Sequence, residues 1–410
     1  MLDIQFIRDN PEKVKKGVSA KQLDSKLVDE ILSLDKKRRE LLVEIEELRA
    51  KRNQAAKAKK VEEGKKIKLQ LQKLEPELKE AETKFKKALY QIPNLPADDV
   101  PVGKDESENE VIKKWGTPKE FAFKPKDHLE LGELLDIIDV KRAAKVSGTR
   151  FGYLKGDATL LEFALINLAL EVLIKEEFIP VTPPALIKKQ VMRGMGYMEH
   201  GGEKDMYVLE KDGIVLVGTS EQSIGPMHMS EVFKAKDLPK RYVAFSSCFR
   251  REAGSYGKDT RGVLRVHQFD KLEMFLFAKP EDSDKEHEFL LSLQEKLFQA
   301  LDIPYRVVEM CSGDLGAPAA RKYDLEAWMP GQGKYREVTS TSNTTDFQAR
   351  RLNIKYQDKG KTKFVHTLNG TAFAIGRTII AILENCQQKD GSILIPKVLQ
   401  KWVGKDKIIP

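Results

Sequence analysis

Over residues 27–92 the seam positions recur at alternating spacings of three and four. Ile31, Leu34, Arg38, Leu41, Ile45, Leu48, Arg52 and Ala55 form one series. Ile67, Leu71, Leu74, Leu78, Ala81, Phe85, Ala88 and Ile92 form a second. A repeat of this kind leaves few options, because it lines one stripe of a long helix that needs a partner to cover it. Two such helices joined by a reversal predict an antiparallel coiled-coil hairpin roughly 45 Å long, at about 1.5 Å per residue. Gly64, in a charged patch between the two series, is the expected place of the reversal. Pro93 and Pro96 should end the second helix and open a linker. Pro76 falls inside the second series, where a proline removes a hydrogen bond, so a bend is expected there.

The hairpin tip gathers Lys51, Arg52, Lys57, Lys59, Lys60, Lys65, Lys66 and Lys68, opposed only by Glu62 and Glu63. Two readings fit. A charge run is commonly a solvated helix face. A basic rod is also well shaped to lie along RNA phosphates, which supply affinity without sequence reading. The whole chain has a net charge of +8 and a pI of about 9.0, which suits an acidic polymer or a lysine-rich surface equally. Its 410 residues allow two domains, one with a sizeable core. Cys248, Cys311 and Cys386 are the three cysteines, with no CxxC spacing. That pattern predicts neither a disulfide framework nor a zinc site, and it fits a reducing cytosol. The N-terminus MLDIQFIRDN lacks an apolar leader, and no run approaches a membrane span. The expected location is cytoplasmic, with no membrane partner.

From about residue 110 helical and strand patterns alternate. Phe249-Arg250-Arg251-Glu252 and the stretch Arg261–Glu273, RGVLRVHQFDKLE, concentrate arginines, an aromatic ring and carboxylates. Arg250, Arg261 and Arg265 can grip polyphosphate, since the guanidinium fork stays charged and donates paired hydrogen bonds. Phe269 can stack on a flat base, and Glu252 and Glu273 can accept from amino groups. Tyr242–Phe249 and Val263–Phe277 read as strands around the Gly- and Asp-rich loop Ala253–Gly262. Such a hairpin could clamp a nucleotide, or could be a solvated hairpin with scattered arginines. No Gly-rich phosphate loop of the P-loop or Rossmann type is present.

FRRE followed by DTRGVLRVHQFDKLE resembles motif 2 of class II aminoacyl-tRNA synthetases, specifically the seryl-tRNA synthetase family. Asn369-Gly370-Thr371 through Arg377 to Glu384-Asn385 is similar to motif 3. Thr219-Ser220-Glu221 resembles the family's serine-binding loop, and Glu337–Asn343 (EVTSTSN) its metal and ATP segment. Met1–Asn94 resembles the family's N-terminal helical arm, though somewhat shorter than usual. Leu160–Glu177 followed by FIPVTPP is similar to motif 1, which forms the dimer interface. These matches occur in the family's order across nearly the whole chain.

The resemblance implies an α+β fold. A mostly antiparallel class II catalytic core would span 109–410, and a tRNA-binding helical arm with its linker 1–108. It implies activation of L-serine by ATP and transfer of serine to tRNA(Ser), with tRNA(Sec) left open as a second substrate. It also implies a homodimer, ATP and Mg²⁺, and no zinc. Arg250, Arg265 and Arg377 would be catalytic, with Arg250 on the α-phosphate and the other two toward the γ-phosphate. Phe269 and Arg377 would sandwich the adenine, and Glu252 would hold its amino group. Arg251 and the run Glu337, Val338, Thr339 and Ser340 complete the ATP contacts. Glu337 and Ser340 would bind Mg²⁺, a hard ion suited to oxygen donors. Thr219, Ser220, Glu221, Arg250, Glu273 and Thr371 would bind serine, rejecting analogues that leave polar groups unpaired. Lys51, Arg52, Lys57, Lys59, Lys60, Lys65 and Lys66 would contact tRNA.

Departures from the pattern are few. Arg251 stands where the family often has a small or polar residue, and Ala372-Phe373 replaces a more usual Gly-Leu. His267 reads as a strand residue supporting the site. His200-Gly201-Gly202 is not a lipase motif, because no GxSxG elbow accompanies it. Synthetases for threonine, proline or histidine usually carry a further C-terminal domain, for which little chain follows Arg377. Carrier-loading ligases lack the long heptad arm. An inactive RNA-binding paralogue would be free to lose Arg250, Glu252, Glu273, Glu337 and Arg377, all of which are present. A coiled-coil scaffold would account for only the first quarter of the chain.

Overall fold

The computed structural model describes residues 1–253 and 262–410. Arg261 and most of the loop between Ala253 and Gly262 lie outside the described residues. The chain divides into two compact units, Met1–Leu95 and Pro96–Pro410.

The first unit is helical. Short helices α1 (Ile4–Asp9) and α2 (Pro11–Ala20) precede two long ones, α3 (Lys26–Lys57) and α4 (Val61–Gln91). Ile31, Leu41, Ile45 and Ala55 of α3 and Ile67, Leu71 and Ala81 of α4 are buried, as the heptads require. Arg52, in seam register, is exposed. The reversal is not at Gly64, which lies within α4 with open space where a Cβ would be. It occupies Ala58–Lys60, where Lys59 takes the left-handed conformation (φ 58°) and the Lys60 N–H donates to the Ala55 carbonyl at 2.9 Å. A left-handed residue just past the last turn closes a helix in the way a glycine usually does. α4 runs unbroken through Pro76. Asp35 is fully buried on the seam side of α3, between Arg38 at 2.9 Å, Arg39 at 3.1 Å and Arg8 at 3.6 Å.

The second unit is built on an eight-stranded sheet. Its elements in chain order are β1 (Glu110–Trp115), α5 (Asp157–Lys175), β2 (Ile179–Val181), β3 (Lys240–Phe249), β4 (Gln268–Ala278), α6 (Ser283–Ala300), β5 (Tyr305–Glu309), β6 (Arg321–Met329), β7 (Lys334–Asn343), β8 (His366–Ala374) and α7 (Ile375–Cys386). The strand order is β1-β5-β6-β7-β8-β4-β3-β2, and every pair is antiparallel except β2 with β3. Helices α5, α6 and α7 bury Leu161, Leu165, Leu168, Phe298, Ile379 and Leu383 against Leu272, Met274 and Leu276 of β4. The fold is therefore α+β with a mostly antiparallel sheet, as the resemblance implies. β2 holds Pro180 at the sheet edge, where a missing N–H is tolerated.

The strand expected from Val263 begins only at Gln268. Over the last turn before it the backbone pairs elsewhere: the Arg250 N–H donates to the His267 carbonyl at 3.0 Å, and the His267 N–H to the Arg150 carbonyl at 2.9 Å. Two bulges matter for the site. Leu272 pairs with Phe373 and Glu273 with Thr371, so Ala372 is the extra residue. Leu325 pairs with Thr339 and Glu326 with Glu337, so Val338 is extra. A bulge re-aims the side chains beside it. Here it lets Glu337 and Ser340, three apart, line the same cavities.

Candidate active site

Two cavities lie over the central strands. One is lined by Arg250, Glu252, Arg265, Phe269, Arg377, Thr371 and the run Glu337–Ser340. Arg250 comes from the end of β3, where its Nε donates to the Gly218 carbonyl at 3.2 Å and its guanidinium carbon sits 5.3 Å from the Phe269 ring centroid. Arg265 Nη1 lies 3.4 Å from Glu252 Oε2. Arg377, in the first turn of α7, holds Glu337 twice: Nη1 is 3.0 Å from Oε2 and 3.0 Å from the backbone carbonyl. Partial burial pushes the Glu337 carboxyl up, but Arg377 and then Lys322 outweigh it and hold it below the usual range. Across the sheet from Ser340 stands Asp324. Burial raises its carboxyl, while Lys322, 3.0 Å away, opposes. Arg251 is not among the lining residues. Its N–H donates to the Asp205 carbonyl at 2.9 Å, and its guanidinium carbon lies 5.9 Å from the Tyr207 ring.

The second cavity is lined by Tyr197, Thr219, Glu221, Arg250, Lys271, Glu273, Glu337 and Ser340. Arg250 and Lys271 thus face both cavities. Phe269, Lys271 and Glu273 alternate along β4 and so share a face, as the two-residue period demands. Glu273 is buried, 2.7 Å from Lys271 Nζ, and accepts from the Thr371 hydroxyl at 3.0 Å. Glu221 is buried at the start of a short helix, Glu221–Ile224, and its Oε1 accepts from the Tyr197 hydroxyl at 2.8 Å and from Gln348 Nε2 at 3.0 Å. Burial and then the Glu273 charge push the Glu221 carboxyl up to about 7, against those two hydrogen bonds. Thr219 Oγ1 accepts from the Glu221 N–H at 3.3 Å. Ser220 does not line the cavity. It is fully buried, and its hydroxyl donates to the Ala244 carbonyl at 3.4 Å.

Tyr197, Gln348, Lys271, Lys322 and Asp324 were not expected from the sequence. Lys271 had a readable signal, two residues from Phe269 and from Glu273 on one strand. Tyr197 and Gln348 come from segments far from Glu221 in the chain, so nothing local marks them.

The pattern of the Seryl-tRNA synthetase N-terminal domain matches residues 1–96. That of the tRNA synthetase class II core domain (G, H, P, S and T) matches residues 207–386. The serine–tRNA ligase of Dictyoglomus turgidum is 47% identical over 423 aligned residues, covering 100% of both chains. The chain belongs to the seryl-tRNA synthetase family. The serine–tRNA ligase of Thermococcus onnurineus is 45% identical, with 100% of this chain and 97% of that protein covered. Among solved structures, seryl-tRNA synthetase from Pyrococcus horikoshii complexed with ATP superposes with a TM-score of 0.95 at 44% identity, covering 100% of each chain. The cytoplasmic serine–tRNA ligase of Naegleria fowleri in complex with AMP gives 0.91 at 33% identity, covering 100% of this chain and 99% of that one. The two cavities meet at Arg250, Lys271, Glu337 and Ser340.

Proposed function

We infer that this chain is a serine–tRNA ligase: it activates L-serine with ATP and transfers it to the 3′ end of tRNA(Ser). One observation carries the reading beyond family membership. A cavity rimmed by Arg250, Arg265 and Arg377 adjoins a cavity with two buried carboxylates, and Arg250 and Lys271 face both.

In the first step a serine carboxylate oxygen attacks the α-phosphorus of ATP. The bond to the β-phosphate breaks, leaving seryl-adenylate and pyrophosphate. Charge grows on the phosphoryl oxygens, so cations held in place beforehand lower the barrier. Arg250 is assigned to the α-phosphate, and Arg265 and Arg377 to the γ-phosphate end. Phe269 and the Arg377 plane hold the adenine, and Glu252 takes its amino group. Glu221 and Glu273 take the serine ammonium, and Glu273 with Thr371 also the hydroxyl, supported by Thr219. In the second step a terminal ribose hydroxyl of the tRNA attacks the adenylate carbonyl and AMP leaves.

Glu337 and Ser340 are the assigned Mg²⁺ ligands. A carboxylate and a hydroxyl suit an ion that keeps waters and takes its other ligands from phosphates. Among the described residues no group of three or more acidic, histidine or cysteine side chains could cage a metal, so phosphate oxygens would have to complete the shell. When bound, the ion would add positive charge beside the phosphates.

Residues 1–108 are assigned to tRNA binding and 109–410 to catalysis. At the hairpin tip Lys51, Arg52, Lys57, Lys59, Lys60, Lys65 and Lys66 are all exposed. Glu63 engages Lys60 at 3.3 Å and Glu62 engages Lys65 at 2.8 Å, leaving the others without a carboxylate among the described residues. Leu160, Phe163 and Ile174 of α5 and Ile179 of β2 are exposed apolar side chains that a second copy of the chain would cover in a homodimer. No helix among the described residues is long and apolar enough to cross a membrane.

ATP–pyrophosphate exchange with serine, threonine, alanine, glycine and cysteine tests the reading. Exchange led by serine supports it. Exchange led by glycine or alanine would point instead to a carrier-loading ligase.

A further inference from the structure

The amino-acid cavity holds two buried carboxylates, and the neighbouring side chains supply a cation to only one of them. Glu273 has Lys271 at 2.7 Å. Glu221, 4% exposed, is held by two neutral donors, Tyr197 and Gln348, and both donate to the same oxygen, Oε1. Among the described residues Oε2 accepts no hydrogen bond and no cationic side chain pairs with Glu221, which lines the cavity.

Each donor is locked in that role. The Gln348 carbonyl oxygen accepts from the Thr367 hydroxyl at 2.9 Å and the Thr344 hydroxyl at 3.3 Å. Its amide nitrogen must therefore face Glu221 and the Met195 carbonyl, 3.3 Å away. Tyr197 follows Gly196, the left-handed residue (φ 90°) that ends the helix Lys189–Met195. A Cβ at Gly196 would meet Phe347 Cε1 at 2.9 Å and Pro318 Cγ at 3.3 Å, so the turn that presents Tyr197 needs a glycine. Burial raises the Tyr197 hydroxyl well above its ordinary range, and Glu221 and Glu273 add to this, so it stays a donor.

We propose that Tyr197 and Gln348 are positioning residues for the amino-acid ammonium. They pin Oε1, turn Oε2 toward the cavity and favour the charged form of Glu221 that the substrate's cation completes. The proposal rests on reading this cavity as the serine site. A carboxylate left without a cation in a buried site is costly unless hydrogen bonds stabilise its charged form. Other charged groups face the same cavity: Glu273 and Lys271 on β4, Arg250 at the end of β3, Asp205, Lys322 on β6 and Glu337 on β7. Of these Glu273 raises the Glu221 carboxyl most, and Lys271 lowers it less than the two hydrogen bonds do. Removing one hydrogen bond should move the carboxyl further up, so that serine is captured only at higher pH.

The test is serine-dependent ATP–pyrophosphate exchange by the full chain and by Tyr197→Phe, between about pH 6 and about pH 8.5, bracketing the range in which Glu221 titrates. The acid limb of kcat/KM for serine should move up by about one pH unit in the variant, raising serine KM at neutral pH roughly fivefold. The gap should narrow toward the alkaline end, and the KM for ATP should change less than about twofold. Gln348→Met removes the other donor to Oε1 and should shift the limb the same way, which keeps the test open if Tyr197→Phe does not fold. An unshifted limb in an active variant, or a pH-independent fall in kcat alone, overturns the positioning role and leaves the serine assignment standing. A wild-type chain with no serine-dependent exchange at any pH overturns both.

Discussion

The unit Met1–Leu95 carries nearly all of its charge on the outside, and its core joins the seam between α3 and α4 to a cluster that α1 and α2 complete. The unit Pro96–Pro410 keeps Glu221, Glu273 and Lys271 buried, on elements brought together by long-range strand pairing. Exposed lysines bind phosphate without discrimination, because each contact mainly releases a counterion. Buried carboxylates bind little that fails to satisfy them, since an unpaired polar group is costly. On the proposed assignment the two units divide affinity from selection, and each should be damageable without the other.

The largest separation is expected from Arg377→Ala. It removes a guanidinium from the cavity assigned to ATP and releases Glu337. Exchange should fall about a thousandfold, the scale for losing a preorganised charge donor. Filter binding of tRNA should change little, and unchanged exchange would take Arg377 out of the site.

A smaller effect sharpens the comparison from the other side. Replacing Lys51, Arg52, Lys57 and Lys66 together with alanine should weaken tRNA binding about tenfold or more at moderate salt, and flatten the salt dependence of the affinity. Exchange without tRNA should be untouched. A salt slope equal to the parent's would return these cations to the role of a solvated face.

The smallest effect concerns the hairpin turn. Lys59 has φ 58°, a conformation that costs a non-glycine residue roughly 1 kcal/mol. Lys59→Gly should stabilise the helical unit by about 0.5–1 kcal/mol, read from its unfolding transition in urea. A loss of stability would mean that Lys59 is not left-handed.

That turn also marks where sequence reading stops. The heptads located both helices because a seam is a periodic property of consecutive residues. The charged patch between the two series points to Gly64 for the reversal, and a lysine in the left-handed role leaves no trace in composition. Asp35 sits buried on the seam side of α3, since three arginines, one of them on α1, compensate it. In the second unit most of the motif side chains that converge, among them Arg250, Phe269, Glu273, Glu337 and Arg377, lie on strand faces or near strand and helix ends, while Glu252 and Arg265 come from the irregular segments between β3 and β4. Arg251 and Ser220 belong to the same short motifs but do not line the cavities, because neighbours along a chain need not share a face. Tyr197 and Gln348 meet Glu221 only through tertiary packing. Arg261 lies outside the described residues.

Deleting residues 40–80, so that Arg39 joins Ala81, tests the division most directly when exchange and tRNA charging are measured on one preparation. The account predicts serine-dependent exchange within about twofold of the parent and charging lower by about a hundredfold or more, since the tip cations assigned to tRNA phosphates are gone. Charging that survives the deletion, or exchange that disappears from a folded variant, would contradict it.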